Sequence, residues 1–317
     1  MSILPDIHAV EIAAARIAPW VRRTEILRSS SLDALASCEM VFKCENFQHV
    51  GAFKFRGACN AVFSLDDEEA ALGIATQSSG NHGAAIARAA QLRGVPAYVV
   101  VPTSIAATKR AAIERYGARV IDCEPTMAAR NTGMANVLAE TGAAAVHPFD
   151  DARVIAGQGT ATLELLEQTK GALDIVMAPV SGGGLLSGTA IAAHGRDARM
   201  QVWGAEPASA SDAQASLAQG RRITEWPIDT ICDGLRATLG ELPFAILSKH
   251  TAGIVTATED QIIAAMRLMF ERLKIVVEPS AAVVLAAILS NPAPFAGRRI
   301  GVIVSGGNLD LDRLPWQ

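Results

Sequence analysis

An α/β fold with parallel strands covered on both faces follows from two observations. Short runs rich in β-branched residues alternate with longer stretches of helical periodicity, and those runs are continuously apolar, as in Ala97-Tyr98-Val99-Val100-Val101. A strand solvated on one face alternates apolar and polar residues, whereas a strand covered on both faces does not. Alternation of strand with helix is the pattern of βαβ units. The 317 residues suggest about two domains at roughly 150 residues each. In chain order, strands are expected at 40–43, 73–76, 97–101, 119–122, 174–178, 201–205, 253–256 and 299–304. The expected helices are 52–64, 82–93, 106–116, 127–141, 152–168, 185–194, 259–273 and 280–290.

Composition excludes several classes of function. Apolar residues make up 50% of the chain and charged residues 19%, enough for a large core. With 28 Lys and Arg against 32 Asp and Glu, the net charge is −4, so no basic footprint for nucleic acid exists. Cys38, Cys44, Cys59, Cys123 and Cys232 form no C-x-x-C pair, and their number is odd. A disulfide framework is not expected, and a reducing, cytoplasmic compartment is. Asp6 and Glu11 interrupt any signal-peptide pattern. The apolar run 281–289 falls short of the ~20 residues a bilayer requires. The expected partner is therefore a small molecule, with neither nucleic acid nor membrane.

Three strands run into Ser/Gly turns: Ser78-Ser79-Gly80-Asn81-His82-Gly83, Ser181-Gly182-Gly183-Gly184-Leu185 and Ser305-Gly306-Gly307-Asn308. Successive glycines let backbone N–H groups converge on an anion, and a following helix adds its positive end. Gly182 to Leu185 has this form most clearly. The same form also serves as a tight connection without ligand. A nicotinamide site is the competing reading. However, Ser187 stands where G-x-G-x-x-G needs its third glycine, and no acidic partner stands clearly about 20 residues on. A Walker lysine is missing as well.

Lys54, in Gly51-Ala-Phe53-Lys54-Phe55-Arg56-Gly57-Ala58, sits in an apolar setting at a loop-to-helix junction. Burial lowers a lysine pKa, and a neutral amine can form a Schiff base. On its own, the residue also reads as a solvated surface group.

Taken together and in this order, these four motifs resemble the fold type II pyridoxal-phosphate enzymes. More narrowly they resemble the serine/threonine dehydratase and serine racemase family, in the style of 3-hydroxyaspartate dehydratases. The resemblance implies a tryptophan synthase β-like α/β fold, with two open twisted α/β domains and the cofactor between them. Residues 1–72 plus 151–317 would form the large domain and 73–150 a small mobile one. It implies a PLP-dependent ammonia-lyase that takes water and ammonia from a β-hydroxy amino acid. 3-Hydroxyaspartate is the first expectation, with L-serine or L-threonine as alternatives and a serine or aspartate racemase as a further one.

The roles implied are these. Lys54 would hold pyridoxal phosphate and then remove the substrate Cα proton, with Phe53 beside it. Gly182, Gly183, Gly184 and Leu185 would cradle the phosphate, Asn81 would bond the ring hydroxyl, and Ser305 would face the ring nitrogen. A neutral serine there leaves the ring a weaker electron sink, which favours loss of a β-substituent; the cofactor supplies the electronics and the protein selects the reaction. Ser78, Ser79, Gly80, Asn81 and His82 would bind substrate, and Ser79 would stand opposite Lys54 as a second proton donor. Arg130 would meet a distal carboxylate. Taken alone, Arg130 reads as a solvated helix residue.

Glu206 and Asp212, with the carbonyl of Ala210 between them, offer hard oxygen ligands of the kind Mg²⁺, Ca²⁺ or Mn²⁺ takes. Taken alone they are an ordinary turn after a strand, and the resemblance makes them a divalent-metal site. A homodimer is implied too. With the lysine motif near residue 54 and the last glycine turn near 305, a short form without a C-terminal regulatory domain is expected.

Overall fold

The structure, a computed structural model, describes residues 4–316. Ten strands among them form two sheets: β1 (Ile26–Leu27), β2 (Glu39–Cys44), β3 (Ile74–Gln77), β4 (Ala97–Pro102), β5 (Arg119–Cys123), β6 (Ala144–Ala145), β7 (Ile175–Pro179), β8 (Gln201–Pro207), β9 (Gly253–Ala257) and β10 (Arg299–Val304). The larger sheet has the order β1-β2-β10-β7-β8-β9 and the smaller β5-β4-β3-β6. All pairings are parallel except β1 with β2. The α/β architecture expected from the continuously apolar runs is the one observed.

The larger sheet is covered on both faces. Met40 and Phe42 of β2, Ile175 and Met177 of β7, and Ile300 and Val302 of β10 pack with the helix Pro279–Ser290. The alternate residues Val41, Val176 and Ile303 pack instead with Leu165, Leu185 and Leu186 from the helices Ala152–Gln168 and Gly184–Arg196. This is the two-residue period of a strand read by two different cores. In the smaller sheet, Ile74 and Val99 meet Ile86 and Ala87 of the helix Asn81–Arg93, while Ala75 and Val100 meet Val137 of the helix Met127–Thr141.

Local chemistry moves several boundaries. The helix expected from residue 52 begins at Lys54, because Ala52 is taken into an antiparallel bridge with Gly306. The segment 259–273 is α-helical over Glu259–Leu268, then widens to a π-turn at Met269–Leu273 and ends at Lys274 with φ 59°. The two-residue strands β1 and β6 carry too little pattern to be read, and the helices Ile7–Ile17, Ser30–Ala36, Asp67–Ala71, Asp212–Gln219 and Glu241–His250 were not anticipated. All five cysteines are unpaired. Among the described residues no helix is long and apolar enough to cross a membrane.

Candidate active site

The glycine turns all leave carboxyl ends of parallel strands, where ligands bind in open α/β sheets. Ser78 follows β3, Ser181 follows the Pro179 end of β7, and Ser305 follows β10. The lysine segment follows β2, the neighbour of β10. Three of the four motifs are knitted together by hydrogen bonds. Phe53 N donates to Ser305 O (2.9 Å) and Gly307 N to Gly51 O (2.9 Å). Asn308 Nδ2 donates to both Val50 O (2.7 Å) and Asn81 Oδ1 (2.9 Å). Gly51, at φ 69°, has no room for a Cβ, which would fall 2.6 Å from Asn308 Oδ1.

Lys54 opens its helix and donates from Nζ to Pro148 O (2.8 Å), with its ammonium 5.2 Å from the Phe53 ring. The residue keeps some solvent access, but its amine is crowded by protein. That burial pushes its pKa down to about 8, against the opposing pull of the Glu278 charge. Two imidazoles share this neighbourhood. His82 is held well below the ordinary histidine range by burial and then by the Lys54 charge. Burial also lowers His147, with Lys54 adding to the effect and Asp150 opposing it. Both are therefore neutral near Lys54. The segment 147–150 supplies the carbonyl that receives the lysine.

Pro148 also links the lysine to the fourth motif. A Cβ on Gly182 would fall 2.3 Å from the ring of Phe149, and one on Gly184 3.0 Å from Phe149 Cα. At Gly183, φ 87°, a Cβ would fall 2.6 Å from both Leu239 and Pro243. Ser187 N makes the first bond of the helix, to Gly183 O (2.9 Å). The N–H groups of Gly184, Leu185 and Leu186 thus precede any intrahelical acceptor and are available to an anion. Gly183 differs from its neighbours, because its own N–H donates to Val180 O (3.1 Å). Its part is to supply the positive φ.

Ser79 and Gly80 fall in the bend between β3 and the helix Asn81–Arg93, and Gly80 N faces Ser78 Oγ at 3.4 Å. Arg130 is in the first turn of the helix Met127–Thr141, with its Nε buried and unbonded. Its neighbour Asn131 accepts from Gln77 Nε2 (3.2 Å), the residue just before Ser78. Ser305 is buried at the end of β10.

Glu206 and Asp212 are buried, at 0% and 1% exposure, with no basic partner. Gln214 N donates to Glu206 Oε2 (3.0 Å), while Glu206 Oε1 has no partner. Leu239 N donates to Asp212 Oδ2 (2.8 Å). Burial raises both carboxyls, Asp212 to about 6 and Glu206 well above the usual range, with the Asp212 charge adding to the latter. Two adjacent buried carboxylates with an orphaned oxygen are a donor set suited to a hard cation. Among the described residues no group of three or more His, Cys, Asp or Glu forms a metal cluster. A site here would complete its shell with a carbonyl such as that of Ala210.

Two features escaped the sequence. One is a largely buried ion network under the lysine helix. Arg56 donates to Glu45 (2.7 and 2.8 Å) and to Glu164 (2.8 and 2.8 Å), and Lys43 Nζ to Glu164 (2.7 Å). The other is Glu278, which accepts from Asn81 Nδ2. Its position just ahead of the largely buried helix Pro279–Ser290 was the available signal.

Comparison with known proteins agrees with this geometry. The family described as "Pyridoxal-phosphate dependent enzyme" matches residues 17–306. Beta-hydroxyaspartate dehydratase of Paracoccus denitrificans is 48% identical over 313 residues, covering 99% of both chains. L-threo-3-hydroxyaspartate ammonia-lyase of Saccharomyces cerevisiae is 41% identical over 312 residues, covering 98% of this chain and 95% of the other. Among solved structures, maize serine racemase superposes with a TM-score of 0.96 at 43% identity, over 98% of this chain and 95% of that one. A crowded lysine amine beside a glycine turn with free N–H groups is the arrangement an aldehyde-bearing phosphate cofactor requires, and with a family match across nearly the whole chain it assigns the protein to the pyridoxal-phosphate dependent enzymes.

Proposed function

We propose that the chain is a dehydratase and ammonia-lyase acting on 3-hydroxyaspartate. The observation that carries the reading is the Lys54 amine, lowered to about 8 by burial and joined to Pro148 O where the glycine turns converge. Bound pyridoxal phosphate supplies an electron-withdrawing ring that acidifies the substrate Cα–H and favours loss of the β-hydroxyl. The N–H groups of Gly182, Gly184 and Leu185 hold its phosphate, with Gly183 shaping the turn. Asn81 bonds the ring hydroxyl, and Ser305 presents an uncharged hydroxyl to the ring nitrogen. Phe53 packs against the lysine.

Lys54 takes the Cα proton, a base near its working pH being the effective one. The bend Ser78, Ser79, Gly80, Asn81 and His82 binds the α-carboxylate, and the neutral His82 donates no second charge there. The unbonded buried Nε of Arg130 supports a distal carboxylate partner. Loss of water gives an enamine, which tautomerises and hydrolyses to a keto acid and ammonia. Residues 73–150 close as a small domain over the substrate and exclude water. Glu206, Asp212 and the Ala210 carbonyl hold Mg²⁺ or a similar divalent ion. Asp212 accepts from Leu239 N, and Gly240 N donates to Gly182 O (3.1 Å), which connects the ion to the phosphate turn. Five unpaired cysteines support a reducing, cytoplasmic setting, and the same reading carries a homodimer.

A second reading rests on Ser79. A hydroxyl on the face opposite Lys54 can return a proton to Cα and invert it, and the likeness to maize serine racemase supports this. The test is a panel of 3-hydroxyaspartate stereoisomers, L- and D-serine and L-threonine, scored for keto acid and for inverted amino acid. Hydroxyaspartate should be the best substrate; equal rates with serine would overturn the dicarboxylate preference. Lys54→Ala should lose both the Schiff-base absorption band and turnover, and a retained band would refute the cofactor assignment.

A further inference from the structure

Glu278 is a buried carboxylate that its own helix does not use. It precedes Pro279, which has no N–H, and its side chain makes no cap bond to the helix Pro279–Ser290. It is 3% exposed. Instead it reaches across to the smaller sheet's side of the molecule. Asn81 Nδ2 lies 3.1 and 3.2 Å from its two oxygens, and Asn308 N lies 3.2 Å from Oε2. Space for it is reserved: a Cβ on Gly306 would fall 2.7 Å from Oε1.

The hydrogen-bond inventory settles which way the Asn81 amide points. The Asn308 amide donates through Nδ2 to both Val50 O (2.7 Å) and Asn81 Oδ1 (2.9 Å). Asn81 therefore turns its oxygen to Asn308 and its NH₂ group to Glu278. An ionised carboxylate only accepts, so it favours that NH₂ orientation. One Nδ2 hydrogen is then shared between the carboxylate oxygens, and the second is left to donate elsewhere.

We propose that Glu278 is a positioning residue, which acts through Asn81 by locking the amide with its free N–H aimed at the cofactor ring oxygen. This rests on the reading that Asn81 contacts the ring. The lock is electrostatic as well as geometric. Burial and the Asp233 charge raise the Glu278 carboxyl to about 7, while Asn81, Asn308 N and the Lys109 ammonium oppose that rise. The same carboxylate favours the charged form of the Lys54 amine. Glu278→Gln keeps the shape but puts an NH₂ group where two donors already point, so the Asn81 amide loses its reason to hold one orientation.

The test is a double-mutant cycle with Asn81→Ala on the purified holoenzyme, read by the cofactor's absorption spectrum and by the rate at which pyridoxal phosphate dissociates on dilution. Glu278→Gln alone should shift the absorption maximum and speed dissociation about tenfold, the scale of one charge-assisted hydrogen bond. In the Asn81→Ala background the same substitution should change either quantity less than about twofold, because the shared partner is already gone. Equal effects in both backgrounds, or none in either, would overturn the proposal. Should Glu278→Gln yield too little folded protein, Glu278→Asp keeps the charge one methylene short of Asn81 and enters the same cycle with the same expectation. Lys54→Ala separates the two levels. If it loses the absorption band while the cycle shows additivity, the role of Glu278 alone falls. If it keeps the band, the cofactor reading falls with it.

Discussion

A lysine in water carries its proton at neutral pH, so a nucleophilic lysine needs surroundings that disfavour the charge. At Lys54 those surroundings are packed protein, while the Phe53 ring face and the Glu278 carboxylate both favour the charged form. Two residues along, Arg56 does the opposite. It is fully buried and charged, with each of its two carboxylate partners in a bidentate pair. Such pairs are weak evidence for net stability, but breaking one leaves uncompensated buried charge. Arg56→Ala should therefore destabilise the protein by about 3–5 kcal/mol, measured by urea unfolding. A loss under about 1 kcal/mol would mean that Glu45 and Glu164 find water instead. Lys54 was legible in sequence from its flanking phenylalanines and the motif around it. The Arg56 network was not, because Lys43, Glu45, Arg56 and Glu164 come together only when β2 meets two helices.

At the scale of elements, two backbone approaches shape the site. Gly57 packs on the helix Ala152–Gln168, where a Cβ would fall 2.3 Å from Gln158 Nε2, and this holds the lysine helix against the large sheet's cover. Gly182 lies against the Phe149 ring, and Phe149 follows the Pro148 carbonyl that receives Lys54. One contact thus sets both this glycine turn and the lysine's partner. Gly182→Ala should displace Phe149 and weaken pyridoxal phosphate binding at least tenfold, as followed by cofactor retention on dialysis. Pairing it with Phe149→Leu should restore part of that loss. If the single substitution retains cofactor normally, the turn is looser than the structure has it. The glycine turns and most helices and strands were readable because period and turn chemistry are local. The helix Asp212–Gln219 and the strand β6 were not, since their place depends on what they pack against.

For the whole molecule, the decisive feature is that the segments following four strand ends are joined to one another by hydrogen bonds and close backbone contacts. Two buried carboxylates, Glu206 and Asp212, tie the molecule to solution conditions. Glu206 and Asp212 bind protons more tightly folded than unfolded, because burial raises both. Their protonated forms favour the fold at low pH, and for Asp212 that contribution is lost as pH rises from 3.8 through about 6. A divalent ion competes for the same oxygens and needs them deprotonated. Metal-free protein should thus gain more in Tm from Mg²⁺ at pH 7.5 than at pH 5.5, measured by thermal unfolding after EDTA treatment. A Tm gain independent of pH, or none at all, would remove the ion from this site.

The sequence by itself determined the α/β class and the three glycine turns after strands, and it singled out Lys54 as a candidate, because each is written in contiguous residues and local backbone chemistry. It was also enough to carry the family resemblance. Tertiary structure alone decided that Pro148 receives the lysine, that Gly183 N–H is taken by Val180 O, and that Glu278 holds Asn81 across 197 positions of chain. Hydrogen bonds and burial are properties of neighbours in space, and no local pattern announces which distant residue will supply the missing acceptor.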